Sequence, residues 1–416
     1  MTRLTTAARV RAYNRLLVGR DFPLLFLGQA VSQLGDWMNR VALLVLAYAL
    51  TGQGLAVAIA TLAQLLPRAF MLPFGGVLAD RFPKRRLMIA TDLARALLAA
   101  SLIFVDRADQ LWWVYLSTVL LHTLASIFNP ARGAILPALV PAELLGPANA
   151  LNNISMQAAI FFGPALGGLL VAQFGVDAVF LINGGTFIIS ALLIALMRAR
   201  EPELRERAFG SIPQDLREGW AVVRSNRTLR TFFAAIFISA VVAIGLNVLL
   251  VSLLANPLGQ PTSRLGLLLT CVGLGMIAGA APALWLFKRY AAPLLALGVT
   301  AGVILTMFAI GLTTSLLVVA VALFINGLLT AISDVVILTT VQRSAPPDRL
   351  GRVMGLLFWV NALGQIVGAA AGGLLPRLTD PATSTLLVAA IAALLLVPLL
   401  PTAIVQWRES RNPSTA

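Results

Sequence analysis

The chain has 416 residues, of which 59% are hydrophobic and only 12% charged, with a mean hydropathy of +0.89; such values exclude an ordinary soluble domain. The formal net charge is +14, but the cations are sorted by loop, so the basic balance does not point to nucleic acid. Cys271 is the single cysteine, so no disulfide framework is expected.

Twelve apolar stretches follow one another, each near or beyond the roughly 20 residues that a helix needs to cross a bilayer. They cover 22–50, 54–79, 86–106, 111–138, 149–175, 177–198, 229–255, 262–286, 290–314, 315–341, 352–375 and 382–406. The runs are too long for barrel strands and lack their alternation. The first has no small-residue cleavage site and is expected to be retained. Arg3, Arg9, Arg11, Arg15 and Arg20 precede span 1. Arg81, Lys84, Arg85 and Arg86 join spans 2 and 3, and an arginine series from Arg198 to Arg230 joins spans 6 and 7. Lys288 and Arg289, then Arg343, Arg349 and Arg352, then Arg408 and Arg411 mark further loops on that side. The opposite loops hold only Arg107, Arg264 and Arg377. Cytoplasmic loops are the basic ones, so both termini are expected in the cytoplasm. Anionic lipid headgroups are their natural neighbours.

Absences narrow the chemistry. The only lysines are Lys84 and Lys288, and neither closes a phosphate-binding loop. His122 is the only histidine, which excludes an HExxH zinc site. No segment outside the membrane is long enough for an enzymatic domain. The expectation is a protein that is not an enzyme, holds no metal or cofactor, and draws any uphill work from an ion gradient or a partner chain.

A shift of 205 residues relates two halves. It carries Pro141 and Gly146 onto Pro346 and Gly351. It also carries Gly163, Gly167 and Gly168 onto Gly368, Gly372 and Gly373. We therefore divide the chain into a six-span half at 1–199, a cytoplasmic linker at 200–228 and a second six-span half at 229–416. In the linker, Ser211-Ile-Pro-Gln214 reads as a capping box. Ile212, Leu216 and Val223, with Trp220 at their edge, give the next turns an apolar face suited to the membrane surface.

Gly76-Val-Leu-Ala-Asp80-Arg81-Phe-Pro-Lys84-Arg85 lies between spans 2 and 3. It resembles the signature loop of the major facilitator superfamily, GxLaDrxGrk, and departs from it at Pro83, where the family has glycine. The resemblance implies an all-α polytopic fold of 12 transmembrane helices in two six-helix halves. It also implies that the loop latches a cytoplasmic gate. A carboxylate such as Asp80 stabilises a helix N-terminus, and the expected target is the start of span 11 near Gly351. Gly163-Pro164-Ala-Leu-Gly167-Gly168 resembles the core of the family's antiporter signature, GPxxGG, although Ala159 stands where the fuller pattern has glycine. Export is favoured on that ground, while small residues also pack helices with no bearing on direction. Leu34-Gly-Asp36-Trp37, Phe128-Asn-Pro130-Ala-Arg132 and Arg349-Leu-Gly-Arg-Val-Met354 resemble the branch with enterobactin exporters, macrolide efflux proteins and lysophospholipid transporters.

Ionisable groups in a bilayer cost roughly 2.5–3.5 kcal/mol each on insertion scales, so each needs a reason. In span 1, Gln29, Gln33, Asp36 and Arg40 make one polar stripe. Asp36 lies about 20 Å along the helix from Phe22, near mid-membrane. Arg40 and Arg68 are its expected partners. Asp36 is either a proton-coupling or cation-binding carboxylate or one arm of a permanent ion pair that orders spans 1 and 2. In span 4, His122, Ser126 and Asn129 share a face, with His122 a secondary coupling candidate. In span 10, Asn326, Thr330, Ser333 and Asp334 do the same, and Asp334 ranks below Asp36 as a carboxylate site. In the resembled family, spans 1, 4, 7 and 10 line the central cavity. That makes Gln29, Gln33, Ser126, Asn129, Asn326, Thr330 and Ser333 substrate candidates. Asp92 and Arg95 in span 3, with Arg132 in span 4, read as gate-side ion pairing beside Gly76, Asp80, Arg81, Lys84 and Arg85.

The function expected is secondary active export of a lipophilic or amphipathic small molecule, drug- or macrolide-like, by proton antiport with alternating access. The alternatives are a siderophore exporter or a lysophospholipid flippase and, in another class, a membrane sensor or scaffold that transports nothing. A monomer in a bacterial inner membrane is expected.

Overall fold

The structure, a computed structural model, describes residues 16, 19–198, 212–290, 292–346, 350–402 and 405. Side chains at 68–69, 72–81, 142, 146, 150, 212–216, 280–281, 284, 287–288, 342–343 and 350–352 lie outside the described residues, although the backbone there is helical. Every regular element among the described residues is a helix. In chain order these are α1 (Asp21–Thr51), α2 (Gly54–Arg81), α3 (Lys84–Ser101), α4 (Leu111–Leu139), α5 (Leu145–Ala195) and α6 (Ile212–Ser225). Then come α7 (Arg227–Ala255), α8 (Leu265–Arg289), α9 (Ala292–Gly311), α10 (Leu316–Ser344), α11 (Leu350–Leu374) and α12 (Pro381–Leu396).

Helix α5 holds two spans. Gly175 breaks it with φ 79° and ψ 176°, a backbone conformation that only glycine adopts cheaply. The break falls at the boundary expected between spans 5 and 6. With α6 set aside as the short linker helix, twelve membrane-crossing segments result. Nine stretches of the described residues are long and apolar enough to span by composition alone. Helix α1 is long enough but is diluted by its polar stripe.

Several connections among the described residues are short and capped. Gln110 Oε1 accepts the backbone N–H groups of Asp106 and Arg107 at the entry to α4. Asn226 caps α7 by accepting the N–H of Leu229 at 3.2 Å. Between α2 and α3 the linker shrinks to Phe82 and Pro83, because α2 runs on to Arg81 and α3 starts at Lys84. Pro83 takes φ −55° and ψ 117°. It needs no N–H at a helix start, so proline serves where the family has glycine.

Two compact units emerge, Met1–Leu50 with Leu66–Ala208, and Thr51–Leu65 with Phe209–Ala416. The core of the first holds Leu25, Met88, Phe128, Ile135, Ile194 and Met197. That of the second holds Phe232, Phe233, Ile332, Val336, Leu356 and Leu357. Val222 and Val223 of α6 join this second core while Trp220 stays exposed. Ser211 and the side chains of Ile212 and Leu216 lie outside the described residues.

The same device packs both units. A Cβ added to Gly163 would collide with Trp37 of α1, and one on Gly167 would lie 2.8 Å from the Met38 carbonyl. In the second unit, a Cβ on Gly368 would collide with the Val241 backbone of α7, and one on Gly372 would lie 2.7 Å from the Gly245 carbonyl. The 205-residue shift thus carries one helix contact onto the other, and glycine is required for the close approach.

Candidate functional site

The site grows from two neighbouring stripes on α1. Gly28, Ser32 and Gly35 form a small-residue stripe against the second arm of α5. A Cβ on Gly28 would lie 3.2 Å from Ser190 Cα, and one on Gly35 would lie 2.5 Å from Thr186 Oγ1. One residue further along each turn runs the polar stripe, carried by this contact against α5 and α3.

The centre is Asp36. Arg95 Nη2 of α3 donates to Asp36 Oδ2 at 2.7 Å and to Oδ1 at 3.0 Å. Arg95 Nη1 lies 3.5 Å from Asp92 Oδ1, three residues back on the same helix. The side chain of Asp36 is 43% exposed, that of Arg95 7% and that of Asp92 0%. The guanidinium rests 3.9 Å from the centroid of Phe187 on α5, a cation–π seat that is stronger where water is absent. Ser190 Oγ lies beside the Asp92 carboxyl and accepts from Gln29 Nε2 at 3.4 Å. Gln29 Oε1 in turn accepts from Arg132 Nη1 of α4 at 3.4 Å. Asp36, Arg95, Asp92, Ser190, Gln29 and Arg132 therefore form one polar chain inside the first unit.

This arrangement differs from the sequence expectation in one respect. Asp92 and Arg95 were expected at the gate, apart from Asp36. Arg95 is in fact the twelfth residue of a span counted from Lys84 to Phe104, near its middle, and it grips Asp36. Arg40 lies over the Trp37 ring at 5.1 Å. The side chains of Arg68, Asp80 and Arg81 lie outside the described residues, as do the surroundings of Gly76; the backbone of all four belongs to α2. Lys84 is buried at the start of α3. Arg85 donates to the carbonyl of Ile194 at 3.1 Å and to that of Ala195. It thereby closes the last turn of α5, where a cation meets the negative end of the helix dipole.

The remaining candidates divide. Gln33 is buried, and its Oε1 has no partner among the described residues. Ser126 is buried, and its hydroxyl donates to the His122 carbonyl at 2.9 Å. Asn129 is exposed on the next turn. In the second unit, Asn326 is buried and donates to Thr306 of α9 at 2.9 Å. Ser126 and Asn326 were expected to line a cavity, but their polar groups are engaged inside the helix packing. Thr330 donates to the Asn326 carbonyl at 2.8 Å. Ser333 is buried, whereas Asp334 is exposed on the same helix. Pro164 and Gly168 are buried beside Gly163 and Gly167. Sequence reasoning missed Gly35, Phe187 and Ser190; the only signal for them was the Gly28, Ser32, Gly35 spacing.

Twelve spans with buried charge at mid-helix define a multi-pass membrane protein. The Major Facilitator Superfamily profile matches residues 25–252 and 232–415, and the chain belongs to that family. It is 30% identical over 329 residues to the enterobactin exporter EntS of Salmonella choleraesuis (strain SC-B67), covering 75% of each chain. It is 24% identical to macrolide efflux protein A of Streptococcus pyogenes, over 83% of this chain and 87% of that one. Among solved structures it is similar to a bacterial homologue of the human lysosomal transporter Spinster, with a TM-score of 0.69, 15% identity, and coverage of 93% and 97%. That last likeness speaks for the fold.

Proposed function

We propose that the chain is a secondary active transporter that exports a lipophilic or amphipathic small molecule, drug- or macrolide-like, by proton antiport with alternating access. One observation carries this reading. The Asp36 carboxylate sits midway along α1, half open on one side and gripped by buried Arg95 on the other. A carboxylate in the membrane faces water or a partner rather than lipid. We infer that protons and cargo reach it from that more exposed side.

The names of two relatives, an enterobactin exporter and a macrolide efflux protein, support outward movement of amphipathic cargo. The first also favours a siderophore as the second reading. Asp334 and His122 are secondary coupling candidates. Gly76, Asp80, Arg81 and Lys84 form the cytoplasmic gate, and Gln29, Gln33, Asn129 and Thr330 contact cargo. The halves are 1–199 and 229–416, joined by 200–228. The protein acts as a monomer in a bacterial inner membrane with both termini in the cytoplasm and anionic headgroups at the basic loops.

The test is proton flux in everted vesicles carrying an internal pH dye. It uses a panel of macrolides, lipophilic cations, catecholate siderophores and lysophospholipids. Cargo-triggered proton release that disappears in Asp36→Asn is expected. A variant whose flux and pH dependence match wild type would remove Asp36 from coupling. Lysophospholipid movement with no proton response would replace export with uncoupled lipid transfer.

A further inference from the structure

The Asp36 cluster contains two carboxylates and one guanidinium held between them, and the guanidinium is unequally shared. Arg95 gives Asp36 two contacts, at 2.7 and 3.0 Å, and reaches Asp92 once, at 3.5 Å. Two buried groups are left over, Asp92 Oδ2 and Arg95 Nε, and neither has a partner among the described residues. One is an acceptor and the other a donor, and they belong to residues three apart on α3. A buried unsatisfied polar group costs about 1–3 kcal/mol, so leaving both unmade calls for a reason. A second seat for Arg95 supplies it. With its Nε and one Nη on the two oxygens of Asp92, the guanidinium would form the bidentate fork that arginine and carboxylate favour. That would satisfy both orphans and vacate the two contacts that Arg95 makes with Asp36.

We propose that Asp92 is the alternate seat of a two-position Arg95 switch, and that the switch makes Asp36 a site for cationic cargo. A cation entering from the open side of Asp36 displaces Arg95 onto Asp92, so the buried arginine never loses a carboxylate partner. The cost of leaving that charge unpaired would otherwise oppose binding. Phe187 lies under the guanidinium and serves as the surface on which it moves. Ser190 beside Asp92 is tied to Gln29 and Arg132 and holds the alternate seat in place. Asp92 is thus a positioning residue that acts through Arg95. This rests on the reading of Asp36 as the cargo carboxylate and adds cationic charge to the cargo class.

The experiment measures tetraphenylphosphonium binding to the full chain in nanodiscs. Asp92→Asn removes the alternate charge with little change of shape. It should weaken binding about tenfold, within the range of ordinary site-to-site coupling, and Asp92→Glu should restore most of it. Asp92→Asn with Arg95→Gln removes the competitor as well and should recover affinity. Asp92→Asn binding like wild type would overturn the switch, as would a double variant as weak as the single one. A readout on the unmutated protein guards against a variant that fails to fold. The Arg95 Nε–H resonance, assigned by its loss in Arg95→Lys, should move downfield on adding the cation, and a stationary resonance overturns the proposal. Wild type that moves an uncharged macrolide with proton release but has no affinity for the cation would overturn the switch and leave export standing. The expected binding pattern without any proton response would do the reverse.

Discussion

Asp380 shows how one side chain settles a helix end. Its Oδ1 accepts the backbone N–H groups of Ala382 and Thr383 at 3.0 Å each, and its Oδ2 accepts the Thr383 hydroxyl at 2.6 Å. Those bonds favour the ionised form, the Thr383 hydroxyl foremost, and hold the carboxyl below its usual range. A depressed pKa stabilises the fold above the unfolded value and loses that contribution as pH falls through the folded one. Asp380→Ala should therefore cost about 1 kcal/mol at neutral pH. The gap from wild type should close below about pH 4, as read by thermal unfolding in detergent; a gap independent of pH would mean the cap acts without its charge. At this scale the sequence was partly legible. Asp36 stood out because a carboxylate in an apolar run is costly. One partner, Arg95, is 59 residues away and is selected by the rotation of α3 and by Phe187. Neither leaves a periodic mark, so nearer arginines were the natural expectation.

Elements were more legible than contacts. Span limits follow from the length of apolar runs, and the break at Gly175 follows from a lone glycine between two of them. Which glycines serve packing follows from neighbours that only the fold reveals. Gly163 and Gly167 sit against the backbone of α1, whereas Gly185 on the same helix has open space around its missing Cβ. Gly163→Ala should destabilise the protein by about 1–3 kcal/mol through overpacking. Gly368→Ala, its counterpart 205 residues on, should do so comparably. Gly185→Ala should be neutral or stabilising by up to about 1 kcal/mol, because alanine has less chain entropy to lose in a helix. Melting temperatures of the three variants in one detergent separate them. Equal gains at Gly163 and Gly185 would show that helix propensity, not close approach, sets the effect.

For the whole molecule, the sorted cations and the 205-residue shift made the twelve-span, two-half plan readable. The unit to which the start of α2 belongs was not readable. Residues 51–65 group with the second unit, because Ala58 fills the space beside Gly373 and Gly54 faces Ser252 of α7. Small residues give such a contact no hydropathy signal. Alternating access requires one bundle to rock against another, so this seat must part if the cycle uses it. A Cβ at Gly54 would stand 3.0 Å from Ser252 Oγ, close enough to make the pair a candidate for a disulfide. Gly54→Cys with Ser252→Cys, and Cys271→Ala to remove the native thiol, should cross-link on mild oxidation without loss of folded protein. Cargo flux in proteoliposomes should then fall to background and return with reductant. Full flux in the oxidised protein would mean the start of α2 stays seated on α7 throughout the cycle, and the moving boundary would have to lie beyond residue 65.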